Sequence, residues 1–191
     1  MIDFEEFAKI ARLNRECAIS EKIDGTNAQV IIGDAGEVVA GSRTRIITPN
    51  EDNFGFALWT ATHAEELRTL GPGRHYGEWW GSGIQRKYGL TGADKRFSLF
   101  NSERWGIDRP ACCQVVPILY KGLFSTGAVE DCLARLRTEG SIAAPGFMKP
   151  EGVVIWHTAA RIYFKVTLER DSEPKNQVSG AQAPEKATAG A

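Results

Sequence analysis

The chain has 191 residues, 42% hydrophobic and 25% charged, which fits one globular domain with a sizeable core and excludes a fibrous or wholly disordered chain. Its net charge of −1 supplies no basic field of the kind that marks a nucleic-acid-binding surface, so any such contact has to be local. No apolar run approaches the roughly 20 residues that span a membrane, and Asp3, Glu5 and Glu6 stand where a signal peptide carries positive charge; both features point to a cytoplasmic protein.

In chain order, Asp3 is placed to cap a first helix, with Glu6 in the capping-box position and Phe4, Phe7, Ile10 and Ala11 at helical spacing, ending near Asn14. Residues 17–22 read as a strand that ends at Lys22. Residues 28–32 and 37–40 form a hairpin across Gly33-Asp34-Ala35-Gly36. Helical periodicity runs over 54–70 and stops at Gly71-Pro72-Gly73. Strands follow at 75–80, 97–100 and 114–119, with a glycine-rich basic loop over 81–96 between the first two. Ser125 caps a helix whose Val129, Leu133 and Leu136 share a face and which Gly140 ends. A last hairpin joins 152–157 to 161–166, and from Asp171 the chain becomes Ser, Pro, Ala, Gly, Gln, Glu and Lys, read as a disordered tail after a domain over 1–170. Antiparallel pairs with a few helices describe an α+β domain.

Cys17, Cys112, Cys113 and Cys132 lack Cys-x-x-Cys spacing and are read as reduced thiols, and His63, His75 and His157 form no pair with ligand spacing. Arg43 with Arg45, Arg86 with Lys87, and Lys95 with Arg96 are either local nucleic-acid contacts or ordinary solvated pairs. Trp79, Trp80 and Tyr88 near Arg86 and Lys87 are either a stacking surface for a strand or core.

The densest chemistry lies in Glu21-Lys22-Ile23-Asp24-Gly25-Thr26-Asn27, where a lysine, a carboxylate and a tight turn fall within four residues. Two readings stand: a surface turn with a solvated lysine, or a nucleophile held at a strand end. Four more elements follow in order. Ser42-Arg43-Thr44 comes first, then Tyr76-Gly77-Glu78 with Gly81-Ser82-Gly83-Ile84-Gln85 and its companion Phe97-Ser98-Leu99-Phe100, then Pro150-Glu151-Gly152-Val153-Val154-Ile155, and last Phe164-Lys165-Val166. Together these resemble the motif series of the covalent nucleotidyltransferase superfamily of ATP-dependent DNA and RNA ligases and capping enzymes, closest to bacteriophage nick-sealing RNA ligases and RNA-editing ligases. Asn27 matches the RNA-ligase branch, where DNA ligases commonly carry Arg. The resemblance spans residues 20–166.

That resemblance implies an ATP-grasp-like α+β nucleotidyltransferase domain of antiparallel sheets with flanking helices and an ATP cleft. Lys22 would be the nucleophile that takes AMP, with Lys165 on the α-phosphate and Arg43 on ribose or phosphate. Glu78 would accept from the ribose hydroxyl, Phe100 would stack on adenine, Glu151 would hold Mg²⁺ or Mn²⁺, and Glu21, Asp24 and Asn27 would flank the nucleotide. Arg86 and Lys87 would meet nucleic acid: nicked or single-stranded RNA, or an RNA/DNA hybrid, with an accessory protein as a further partner. Two departures stand out. Thr167 occupies the place of a second lysine in the last motif, and the strand-holding second domain of the related ligases is not expected after Arg170. Capping-type guanylyl transfer, DNA ligation, and a nucleotide-binding or nucleic-acid-binding module without turnover are the alternatives.

The residue types suit the reaction. A lysine amine with a reference pKa of about 10.4 is free in roughly one molecule per thousand at neutral pH, so a nucleophilic lysine needs an environment that favours its neutral form. Phosphoryl-type transfer needs positive charge on the nonbridging oxygens, which Lys165, Arg43 and a metal on Glu151 would supply.

Overall fold

A computed structural model describes residues 3–169; the expected tail over 171–191 lies outside them. The elements are β1 (Glu16–Lys22), β2 (Thr26–Ile32), β3 (Val38–Ser42), β4 (Ile46–Ile47), α1 (Phe56–Thr62), α2 (Ala64–Leu67), β5 (Gly73–Gly81), β6 (Lys95–Leu99), β7 (Cys113–Val115), β8 (Ile118–Leu123), α3 (Thr126–Glu139), β9 (Gly152–His157) and β10 (Ile162–Thr167). They form an α+β domain of two sheets. One has four antiparallel strands in the order β10-β9-β1-β8, and the other six in the order β4-β3-β2-β5-β6-β7. Every pairing is antiparallel except β6 with β7, which runs parallel.

Burial alternates along β1 and β2 with the period of a strand, because successive side chains point to opposite faces. On the six-stranded sheet, Ala28, Val30, Trp79, Phe97 and Leu99 turn to one side and are covered by Phe56, Ala57 and Leu67 of α1 and α2. On the four-stranded sheet, Cys17, Ile19, Val153 and Ile155 meet Val129, Leu133 and Leu136 of α3. A third cluster packs Ile23, Val116 and Ala144 from connecting segments against Trp80 of β5 and Tyr88 of the loop after it. Each large side chain buried there contributes ~1.5–3 kcal/mol, so the join between the sheets is itself part of the core. No helix among the described residues is long and apolar enough to cross a membrane.

Three sequence expectations are corrected. The helix after Asp3 does not form: residues 3–12 carry no regular structure, and Phe4, Phe7 and Ile10 are 92%, 86% and 88% exposed. A ten-residue helix with its apolar stripe unpacked falls below the length that sustains itself in water. The helix over 54–70 is broken at His63 (φ −106°, ψ 16°), where the Thr62 hydroxyl and the His63 ring both converge on the Trp59 carbonyl and compete with the backbone ladder. The single strand expected over 114–119 is two. Pro117, which has no N–H, accepts from Glu21 N–H at 2.9 Å, while Val116 N–H still donates to Leu99 in the other sheet; the chain changes sheets between these two residues. The cap at Ser125 forms as expected, its hydroxyl oxygen accepting from Ala128 N–H at 3.1 Å.

Candidate active site

The segment Ile23-Asp24-Gly25 is not a hairpin turn. β1 and β2 lie in different sheets, so these three residues carry the chain from one sheet to the other, with Lys22 on the near bank and Asn27 on the far one. Gly25 is needed for close approach rather than for a left-handed backbone: a Cβ there would lie 2.4 Å from the Trp79 carbonyl oxygen and 2.7 Å from Trp80 Cβ.

Strand register assigns the faces. Lys22, Gly152 and Thr167 form one row across β1, β9 and β10, and Ser20, Val154 and Lys165 form the next. Opposed residues of neighbouring antiparallel strands share a face, so Lys22 and Lys165 project from the same side of the four-stranded sheet, opposite α3. Ideal strand spacing puts their Cα atoms about 12 Å apart. On the six-stranded sheet Asn27, Glu78 and Ser98 form a row, on the face away from α1 and α2. Phe100 follows β6 with the parity of Ser98, is 36% exposed, and donates its N–H to the Tyr76 carbonyl. Phe97, the rival aromatic, has the opposite parity and is fully buried under the helices.

Between these faces the polar groups converge. Lys22 Nζ donates to Glu151 Oε2 at 2.5 Å, with the two side chains 23% and 16% exposed. Glu78 is buried; its Oε1 accepts from Gly25 N–H at 3.0 Å and its Oε2 from Asn27 Nδ2 at 3.2 Å. Asp24 is held from the loop after β5: its N–H donates to the Tyr88 hydroxyl oxygen at 2.7 Å, and its Oδ2 accepts from Arg86 Nε at 3.1 Å. Arg86 also donates to the Lys149 carbonyl and to Glu169. This clasp uses backbone that side chains rarely adopt, with Gln85, Lys87 and Tyr88 at φ 42°, 60° and 51°, each a strain of order 1–3 kcal/mol that the surrounding contacts must offset.

The electrostatics of Glu78 follow from this geometry. Burial raises its carboxyl to about 7 from the ordinary 4.5; the Lys22 cation and the Gly25 N–H pull down, while Glu151 and Asp24 push up. The folded chain therefore keeps a proton that the unfolded chain releases between pH 4.5 and 7. Stability from this group is present below pH 4.5 and lost as pH rises to 7, by up to about 3 kcal/mol. Glu78→Gln should flatten the pH dependence of urea-denaturation stability over pH 5–7. A variant that keeps the wild-type slope would place the titrating group elsewhere.

With this arrangement in view, the RNA ligase family model matches residues 15–168. The chain belongs to the RNA ligase family. Solved structures of the Naegleria gruberi RNA ligase share its fold. The form with PPi is 23% identical with a TM-score of 0.60, covering 81% of this chain and 50% of that one. A mutant with AMP and Mn is 20% identical at a TM-score of 0.60 with the same coverage, and a mutant with ATP and Mn is 22% identical at 0.59, covering 81% and 49%. The chain thus spans about half the length of the solved structures it matches. None of the curated proteins matches it.

Of the site residues that the sequence singles out, Lys22, Asp24, Asn27, Glu78 and Glu151 are brought together, and Phe100 and Lys165 lie on the two faces that flank them. Arg43 is exposed in the turn after β3, where the register of Ala28 opposite Ser42 leads outward to Asn27 and Arg43; no ion pair among the described residues engages it. Glu21 is placed elsewhere. It points to the α3 side of β1, 1% exposed, and its carboxylate accepts from Ser141 Oγ at 2.5 Å and from the N–H groups of Ile142 and Ala143 at 2.8 and 2.9 Å. Its carboxyl is raised by burial, against which those three donors act.

Arg86 is engaged with Asp24 and Glu169, which leaves Lys87, exposed, as the member of that pair facing solvent. Trp79, Trp80 and Tyr88 are all buried, so the stacking surface considered for them is excluded. Arg45 pairs with Glu51, Arg96 pairs with Asp94 and lies over Trp80, and Lys95 donates to the Phe54 carbonyl; these cations are structural or solvated. His75 Nε2 and His157 Nε2 sit 2.9 and 2.7 Å from the carbonyls of Gly71 and Leu13, satisfied within the fold. Sequence reasoning weighed Tyr88 only as stacking surface or core and missed its hold on Asp24, and it missed Ser141 as the partner of Glu21.

Proposed function

We propose that the chain is an ATP-dependent RNA ligase that joins a 3′-hydroxyl to a 5′-phosphate through AMP carried on Lys22. The observation that carries this reading is the Lys22 amine at the end of β1, held by Glu151 and within reach of the charge on Glu78, in a chain that matches the family over residues 15–168. The catalytic unit of this reading is residues 1–170. Four free cysteines suit a reducing compartment, and we place the reaction in the cytoplasm.

In the first step the Nζ lone pair of Lys22 attacks the α-phosphorus, the bond to pyrophosphate breaks, and a phosphoramidate to AMP forms. In the second, a 5′-phosphate oxygen displaces Lys22 from that phosphorus. In the third, the 3′-hydroxyl attacks the activated 5′-phosphate, loses its proton, and AMP leaves. Lys165 and Arg43 supply positive charge to the phosphate oxygens, Glu78 accepts from the ribose hydroxyl, Phe100 offers its exposed face to adenine, and Asp24 and Asn27 border the phosphates. Lys87 is left to contact a nucleic-acid phosphate.

ATP and a divalent cation as co-reactants draw support from the AMP, ATP and Mn complexes of the Naegleria gruberi enzyme, whose fold this chain shares. The donor set fits such an ion. Among the described residues no cluster of three or more His, Cys, Asp or Glu forms a cage, and Mg²⁺ is ordinarily held by one or two carboxylates plus substrate phosphates. Glu151 would hold it, with Glu78 beside it. Bound there, such an ion would supply positive charge to the phosphate oxygens.

Joining assays on 5′-phosphorylated nicked RNA, single-stranded RNA and RNA/DNA hybrid duplexes, with ATP and Mg²⁺ or Mn²⁺, test this reading. A product with ATP and none with GTP is expected. Product with GTP alone would reassign the nucleotide, and no product on any substrate would overturn the ligase assignment.

A further inference from the structure

The face of the four-stranded sheet that carries Lys22 and Lys165 continues one row further. Lys121 of β8 opposes Ala18 of β1, Ala18 opposes Trp156 of β9, and Trp156 opposes Tyr163 of β10. The irregularity in the β1–β8 pairing falls after Ile19, so these four residues form an unbroken row across all four strands. Trp156 and Tyr163 lie against each other, ring centroids 4.4 Å apart at 39°, and Tyr163 is 63% exposed. Lys121 is exposed. Ala18 between Lys121 and Trp156 carries one methyl, so the row has a cation at one end, rings at the other and a low floor between. Lys165 stands one row nearer the site, and the Lys22 row lies about 13 Å away by the rise of a strand.

An exposed tyrosine on the edge strand β10, backed by the half-buried Trp156 of β9, is an aggregation liability unless it has an occupant. The charge around it selects one. Lys121 and Lys165 share the face, burial and then the Glu103 carboxylate raise the Tyr163 hydroxyl, and the nucleotide site lies along the same face. We propose that Trp156 and Tyr163, with Lys121, form a stacking platform for a single-stranded stretch of the nucleic acid whose end is being joined. Bases stack on the open ring of Tyr163 and the backbone phosphate meets Lys121. Every base has a π-face, so the platform reads strand geometry rather than sequence. It locates the strand-binding surface that Trp79, Trp80 and Tyr88 cannot provide. This inference rests on the ligase reading for its ligand, and on the register and exposure of these residues for its place.

The test compares the full chain with Tyr163→Ala, Tyr163→Phe and Lys121→Ala, using binding of a fluorescent 5′-phosphorylated RNA dodecamer and, separately, transfer of label from α-labelled ATP to protein without RNA. Tyr163→Ala should weaken RNA binding by tenfold or more, and Tyr163→Phe should restore it. Lys121→Ala should reduce the slope of log K against log salt by about 0.7, the value for one phosphate contact on a single strand. Labelling by ATP should be unchanged in all three, since none of these residues belongs to the nucleotide site. RNA binding equal to wild type in Tyr163→Ala, or a wild-type chain that binds no RNA, overturns the platform. Loss of ATP labelling in the wild-type chain, with RNA binding that still depends on Tyr163, overturns the ligase reading and leaves the platform standing.

Discussion

On the proposed reading, Lys22→Ala should abolish joining of 5′-phosphorylated RNA in the presence of ATP, with a loss on the order of 10³ to 10⁶-fold, the scale seen when a covalent nucleophile is removed. The reason is specific to the first step. Without Nζ no phosphoramidate forms, and the carboxyl groups nearest that position, Glu78, Glu151 and Asp24, offer no amine to replace it. The same variant should still join an RNA supplied with a pre-adenylated 5′ end, because that substrate enters after the step that needs the lysine. Lys22→Arg would keep the charge opposite Glu151 yet still fail in the first step, since a guanidinium stays protonated. The gel-based rate of joining on the two substrates measures this. A Lys22→Ala chain that joins unactivated RNA with ATP at more than a hundredth of the wild-type rate would remove the lysine from the chemistry.

Glu21→Ala should destabilise the fold by about 3–5 kcal/mol, measured by urea denaturation. Its carboxylate is the acceptor for a hydroxyl and two backbone N–H groups of residues 141–143, and hydrogen bonds to a charged acceptor are worth about 1.5–3 kcal/mol each. Truncation leaves those donors without an acceptor in a region that excludes water, and opens a cavity where the buried Glu21 side chain packed against residues 141–143. Glu21→Gln keeps one carbonyl acceptor and the side-chain volume, so its loss should be smaller by half or more. At temperatures where Glu21→Gln is folded, it should take label from ATP as well as wild type, because its side chain lies on the far face of β1 from Lys22. A Glu21→Ala chain of wild-type stability would show that the 141–143 loop is held by other means.

The order of elements and the α+β class were legible because burial in this chain follows short-range rules. Strand alternation in β1, β2 and β9, the cap at Ser125, and the glycine stops at Gly71 and Gly140 all act over a few residues. The same rule carried a signal left unused: Glu21 has the parity of Cys17 and Ile19, the core-facing residues of its strand, so its placement away from Lys22 could be read from period two alone. Pro117 similarly marks the place where one strand becomes two.

Other features were not legible because they join distant parts of the chain. The Tyr88 hydroxyl meets Asp24, Arg86 meets Asp24 and Glu169, and Ser141 meets Glu21; separations of 62 to 120 residues leave no local pattern. The N-terminal segment failed in the opposite sense. Asp3, Phe4, Phe7 and Ile10 carry every local sign of a helix, yet their apolar stripe meets nothing, and tertiary packing, which the pattern does not encode, decides such a short element. The buried Trp79 and Trp80 show the same limit from the other side: adjacent strand residues point to opposite faces, and here both faces of β5 are covered, one by α1 and the other by the Tyr88 loop.

The most direct measurement is mass spectrometry of the wild-type chain after incubation with ATP and Mg²⁺, first intact and then as peptides. One added AMP is expected, acid-labile, discharged by pyrophosphate, and mapping to the peptide that contains Lys22. A chain that gains no adenylate under these conditions, or gains it on a different residue, would contradict the account.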